Sequence, residues 1–308
     1  MSLKVGVVGV GAIGRNHARI YSELESANLE CIYDANAEQA KSIADEFGTD
    51  VATTLEEFVE RVDAASVSTP TVTHREIGTL LLNAGKHVLV EKPISDSVDD
   101  AKAMIDLAQE KGLVLQVGHI ERFNPVMSRL EEQLDAPKFI ECHRLSPFPK
   151  RSLDIGVVLD LMIHDLEIVL HLVNSPLQSV DAVGVPVLTR REDIANARLR
   201  FENGCVANIT ASRISPEKMR KIRVFQSDAY LSLDYQDQSG WIYRKDGFEI
   251  TREEVEVERD EPLKCELAAF VECSSRGEQP KVSGQQGADA LDVALQITRL
   301  IEEANAPS

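Results

Sequence analysis

A glycine turn set between a strand and a helix constrains this chain more than any other feature. Leu3–Val8 is a short apolar run, Gly9-Val10-Gly11-Ala12-Ile13-Gly14 follows it directly, and a stretch of helical periodicity comes next. The six-residue pattern alone is weak, because glycine is common; the strand before it and the helix after it are what its mechanism requires. Gly9 permits the tight turn, Gly11 lets backbone approach a pyrophosphate, and Gly14 lets the helix pack on the strand. The helix N-terminus, beginning at Ala12 and Ile13, then offers N–H groups and the positive end of its dipole to phosphates. Asp34 lies twenty positions after Gly14, at the end of the next strand. A carboxylate there bonds an adenosine ribose diol and repels a 2′-phosphate, which favours NAD over NADP. A plain strand-to-helix turn with no ligand is the competing reading.

The alternation continues beyond the turn. Strand-like runs at Leu29–Tyr33, Ala64–Ser68, His87–Val90 and Leu113–Val117, with a weaker one near Val51, alternate with helical patterns at Ala37–Phe47, Thr73–Ala84 and Ser97–Lys111. Strand–helix alternation at this spacing predicts βαβ units and a doubly wound parallel sheet over residues 1–120, a Rossmann-type α/β domain that binds the dinucleotide. From Glu121 the pattern changes. A helix near Asn124–Leu134 and a strand at Lys138–Leu145 lead through a Pro-rich loop to a long apolar helix at about Asp154–Val173. Strand-like runs with turn signals at Asn203-Gly204 and Asp246-Gly247 then predict an open, mainly antiparallel sheet, closed by two C-terminal helices. Residues 121–308 thus read as a second α/β domain, for substrate and oligomerisation. The uncovered sheet face is either wet or paired with another subunit, and a homo-oligomer, dimer or tetramer, is expected.

Charge and composition then narrow the partners. The 308 residues suit two domains of ~100–200 residues each. Lys+Arg number 33 against 51 Asp+Glu, a net charge of −18 that repels nucleic-acid phosphates and anionic lipid. Five scattered cysteines with no Cys-x-x-Cys pair read as reduced thiols in a cytoplasmic protein, without disulfides or zinc. No uncharged apolar run approaches the ~18 residues of a membrane span, and the N-terminal run fits a strand and turn better than a signal peptide.

Three further places carry chemistry. Ser68-Thr69-Pro70 ends the fourth strand with His74 just beyond, on the rim where open α/β sheets bind ligands. Glu91-Lys92-Pro93 ends the fifth strand on the same rim, where a lysine can donate to a substrate hydroxyl or carbonyl; an exposed strand-end lysine is the alternative. In the long apolar helix Asp160, His164, Glu167 and His171 recur at i, i+4, i+7 and i+11, one narrow stripe, with Asp165 off it. The stripe is either a solvated face or one wall of a cleft. A carboxylate one turn before a histidine can hold one ring nitrogen and leave the other to take a hydroxyl proton. A zinc site, and with it a metal-dependent hydrolase, fits poorly, because one straight helix cannot surround a metal.

Together Gly9-x-Gly11-x-x-Gly14, Glu91-Lys92-Pro93 and Asp160-x-x-x-His164 resemble the glucose–fructose oxidoreductase/inositol dehydrogenase (Gfo/Idh/MocA) family over essentially the whole chain. The resemblance implies NAD-dependent oxidation of a sugar or cyclitol hydroxyl. Lys92 would polarise the reacting oxygen, His164 would act as base, and Asp160 would orient His164. Glu91, Ser68, Thr69, Pro70 and His74 would join the glycine turn and Asp34 around the cofactor. The family often has Gly two residues before the histidine and Asp three after it; here these are Met162 and Glu167. His119-Ile-Glu-Arg-Phe-Asn-Pro125 and Asp160-Leu-Met-Ile-His-Asp165 resemble a subgroup acting on nucleotide-linked amino sugars, such as UDP-N-acetylglucosamine 3-dehydrogenases. Arg122, Asn124, Lys150 and Arg151 would then meet the sugar or diphosphate. A non-catalytic NAD-binding regulator on the same fold is the alternative, and the presence of both Lys92 and His164 argues against it.

Overall fold

The computed structural model describes residues 2–148, 155–247 and 249–306, which fall into two compact units. Lys150 and Arg151 lie outside the described residues. The first unit takes Met1–Phe123 together with Glu261–Ala288. It contains β1 (Leu3–Val8), α1 (Ala12–Glu23), β2 (Ala27–Tyr33), α2 (Ala37–Phe47), β3 (Asp50–Val51), α3 (Leu55–Arg61), β4 (Ala64–Val67), α4 (His74–Asn83), β5 (His87–Glu91), α5 (Val98–Lys111) and β6 (Leu115–Gly118). The strands form one parallel sheet in the order β3-β2-β1-β4-β5-β6, the doubly wound arrangement. β4 and β6 are buried at every residue, as strands covered on both faces must be. The helices start where side chains replace missing backbone partners. Asn36 caps α2 by accepting from the Glu38 and Gln39 N–H groups, and Ser97 caps α5 by accepting from Asp100 N–H.

The second unit takes Asn124–Asp260 and Asp289–Ser308. After α6 (Pro125–Gln133) and β7 (Phe139–Leu145) come α7 (Ile163–Val173), β8 (Leu177–Val185), β9 (Ile194–Phe201), β10 (Val206–Ser212), β11 (Met219–Phe225), β12 (Ala229–Asp234), β13 (Ser239–Asp246) and β14 (Glu249–Glu254). Eight strands run β14-β13-β12-β11-β7-β10-β9-β8, all antiparallel except the β7–β10 pair. β9, β10 and β12 alternate buried with less buried residues, so one sheet face carries the core and the other lies open. β14 is fully exposed at the sheet's end, with Glu249, Glu253 and Glu254 in water. That placement suits a charged edge strand.

Two departures from the sequence reading have local causes. α8 (Pro262–Arg276) belongs to the first unit, because Leu267, Phe270 and Val271 are buried in one cluster with Val5, Val7 and Tyr21. The split after residue 120 did not anticipate that return; α9 (Gly284–Asn305) supplies the second unit from Asp289 onward. The long apolar helix is also not uniform. Val158–Met162 forms a π-helical turn ahead of α7. Glu192 occupies the entry: its carboxylate accepts from Val158 N–H at 3.3 Å and its carbonyl from Val157 N–H at 2.9 Å. A Cβ on Gly156 would stand 1.8 Å from Glu192 Oε1, so only glycine leaves room for that cap.

Candidate active site

The glycine turn is built for close approach. Gly9 has φ +84°, and a Cβ there would meet the Ser68 carbonyl at 2.9 Å. A Cβ on Gly14 would come within 1.8 Å of the Gly9 carbonyl oxygen, so α1 lies against the turn only because that atom is missing. A Cβ on Gly11 would meet nothing within 4 Å. That open face is where a pyrophosphate would lie. α1 has no side-chain cap and no acidic residue in its first turn, which leaves its N-terminus suited to an anion. Asp34 is held by two backbone donors, Val10 N–H and Asn36 N–H, each at 2.8 Å. These residues fit a dinucleotide: Gly9, Gly11, Ala12, Ile13 and Gly14 would hold the pyrophosphate by their backbone, and Asp34 the ribose.

The ends of β4 and β5 are tied to this turn. Ser68 N–H donates to Val8 O at 2.9 Å and its hydroxyl to Gly9 O at 3.2 Å. Thr69 accepts from the Thr73 hydroxyl at 2.7 Å, with Pro70 exposed between them. His74 is buried, and its two ring nitrogens lie 2.9 Å from the carbonyl oxygens of Pro93 and Thr69. Both nitrogens therefore face backbone, and the ring spans the loops after β4 and β5. Burial pushes its pKa down.

Glu91 ends β5 and Lys92 follows it. The Glu91 carboxylate meets Nε2 of fully buried His17, on α1, at 3.1 Å. The sequence pattern did not single out His17; its spacing, three residues after Gly14 on the inner face of α1, was the available signal. His119 and Arg122 are buried just after β6. Burial first, then the positive charges of Lys92 and Arg122, bring the His119 pKa down to about 3, so its ring is neutral at neutral pH. Lys92 and Arg122 thus act on one neutral imidazole.

The remaining candidates are in the second unit. Asp160 stands in the π-helical turn and His164 in the first turn of α7, both half-buried. Of the expected stripe, Glu167 is buried, and half-buried His171 pairs with Glu131 at 3.1 Å. Asp165, off the stripe, forms a buried two-point ion pair with Arg144 on β7, Nε–Oδ2 2.8 Å and Nη2–Oδ1 2.9 Å. Asn124 caps α6 through Val126 N–H at 3.3 Å and donates to Tyr235 O at 2.9 Å. Its amide thus has structural bonds to keep. Among the described residues no group of three or more His, Cys, Asp and Glu is placed to hold a metal ion, and no helix is long and apolar enough to cross a membrane.

Comparison with known proteins agrees with this anatomy. Residues 3–119 match the model of the GFO_IDH_MocA oxidoreductase family, NAD-binding Rossmann fold, and residues 131–232 match the GFO/IDH/MocA C-terminal domain. The chain is 36% identical to UDP-N-acetylglucosamine 3-dehydrogenase of Acidithiobacillus ferrooxidans over 97% of both proteins. It is 28% identical to myo-inositol 2-dehydrogenase of Thermotoga maritima over 98% of this chain and 97% of the relative. A solved structure of the Acidithiobacillus ferrooxidans enzyme superposes with a TM-score of 0.94, covering 98% of this chain and 99% of that one.

Proposed function

Because this chain belongs to the GFO/IDH/MocA family of NAD-binding oxidoreductases, we propose that it oxidises a secondary hydroxyl of a nucleotide sugar, UDP-N-acetylglucosamine at C3. The observation that carries the substrate is the 36% identity along 97% of both chains to a relative named for that reaction. Lys92 donates to the reacting oxygen and holds it as its charge grows. His164 takes the hydroxyl proton, and Asp160, one turn earlier, orients the imidazole. The nicotinamide, when bound, supplies the acceptor for the hydride that leaves the carbinol carbon, so alcohol and NAD become ketone, NADH and one proton. Lys92 belongs to the first unit and His164 to the second. Lys150, Arg151 and the buried guanidinium of Arg122 are the cations for the diphosphate of such a substrate.

The protein acts as a homo-oligomer in the cytoplasm, with a second copy on the open face of the β7–β14 sheet. Supporting this, Phe139, Phe225, Tyr230 and Tyr243 form a continuous row of ring contacts across that face, with Tyr230 and Tyr243 stacked at 4.2 Å. Exposed Val183, Val185 and Ile250 lie on the same side.

The test is reduced-cofactor absorbance with NAD and NADP against UDP-sugars, free sugars and cyclitols. UDP-N-acetylglucosamine with NAD should give the highest kcat/KM. NAD binding without turnover of any sugar would favour the non-catalytic regulator.

A further inference from the structure

We propose that Arg144 and Asp165 are positioning residues for His164: a buried ion pair that sets the rotation of α7 on the sheet and thereby the direction of the imidazole. The proposal rests on His164 as the base. The helical ladder is irregular just before His164. The segment immediately before α7 is the π-helical turn Val158–Met162, where the regular hydrogen-bond ladder is interrupted. Asp165 is the first residue after His164, and its carboxylate is gripped at both oxygens by the planar guanidinium of Arg144. Two parallel bonds fix orientation as well as distance, which one bond does not. Side-chain exposure is 4% for Arg144 and 2% for Asp165, so water does not compete for either group. The anchor is rigid, because β7 is paired on both sides, with β10 and β11.

Among the described residues, titratable neighbours lie on β7, on β11 and on the helical segment itself. From β7 the Cys142 thiol feels the pair; burial and then the Asp165 charge push its pKa well up. Arg220 on β11 is the register partner of Arg144. α7 packs against β7 and β10, and β10 carries no titratable side chain. The segment itself carries Asp160, His164 and Glu167. Placement of a reacting group matters steeply: a shift of ~1 Å can lower the rate about 100-fold.

The test uses the full-length protein with NAD in three variants: Asp165→Asn, Arg144→Lys, and the apolar pair Arg144→Met with Asp165→Leu, which removes both charges and leaves neither stranded. Near-ultraviolet circular dichroism verifies folding. The His164 ring signals, assigned by their loss in His164→Gln, are followed by ¹H–¹⁵N NMR against pH, beside kcat and KM at each pH. In the folded double variant the ring signals should move and their titration shift. In the same protein kcat should fall about 10- to 100-fold with KM for NAD unchanged, and Arg144→Lys should retain part of it. Moved ring signals with undiminished kcat would support the positioning pair while refuting His164 as the base. A folded double variant whose His164 signals and titration match the wild type overturns the proposal, whatever its kcat.

Discussion

The Glu91 carboxylate, one residue before Lys92, rests 3.1 Å from Nε2 of His17, which is fully buried on the helix that starts at the glycine turn. The pair therefore joins α1 to the end of β5, just before Lys92. Replacing His17 by Leu keeps the volume but strands Glu91, itself only 9% exposed. Loss of a partner from a buried charged group costs about 1–3 kcal/mol or more. His17→Leu should lower the urea midpoint accordingly and reduce kcat more than it raises KM for NAD.

Two glycines three positions apart should respond in opposite ways. Gly14→Ala drives a methyl into the Gly9 carbonyl at 1.8 Å, backbone against backbone, and should unfold the first unit or sharply lower its Tm. Gly11→Ala meets nothing within 4 Å and should fold with an unchanged Tm. Its methyl would nevertheless occupy the face left for the pyrophosphate, so NAD affinity should fall. Thermal melts alongside NAD titration separate the two cases.

Asp34, the proposed ribose ligand, is held by Val10 N–H and Asn36 N–H. Asp34→Ser should weaken NAD binding about tenfold, equivalent to ~1.4 kcal/mol, and narrow the preference for NAD over NADP. Isothermal titration with both cofactors checks it. An unchanged ratio would remove Asp34 from the recognition of the ribose.

Glu266, on α8, is completely buried, and its carboxylate oxygens lack hydrogen-bond partners. Burial, and then the charge of Glu91, raise its pKa well above the ordinary carboxylate value. The folded protein thus keeps a proton that the unfolded chain releases at about pH 4.3. The native state binds more protons, so this group makes stability fall as pH rises above that value until its folded pKa is passed. Glu266→Gln should flatten the Tm profile above about pH 5 and raise the Tm most at its alkaline end. A profile parallel to wild type would show that Glu266 is ionised in the fold.

What could be read from the sequence was local. The strand, the glycine turn and Asp34 were legible because the turn's demands are steric and fall within a few residues. The hairpins at Asn203-Gly204 and Asp246-Gly247 join β9 to β10 and β13 to β14 for the same reason. The π-helical turn was hidden, since apolar periodicity over five residues cannot separate one hydrogen-bond ladder from another. Asp165, off the stripe, gave no sign of its role because its partner, Arg144, is 21 residues upstream on a strand. The return of α8 to the first unit was equally invisible: an amphipathic pattern says that Leu267 and Phe270 are buried, not in which core.

In the proposed reaction His164 takes the proton of the oxidised hydroxyl. The most direct measurement compares NADH formation from UDP-N-acetylglucosamine by the wild type and His164→Ala across the pH range, with NAD affinity determined for both. The variant should bind NAD as the wild type does and lose about 10²- to 10⁴-fold in kcat at neutral pH. Full activity of His164→Ala at every pH would contradict it.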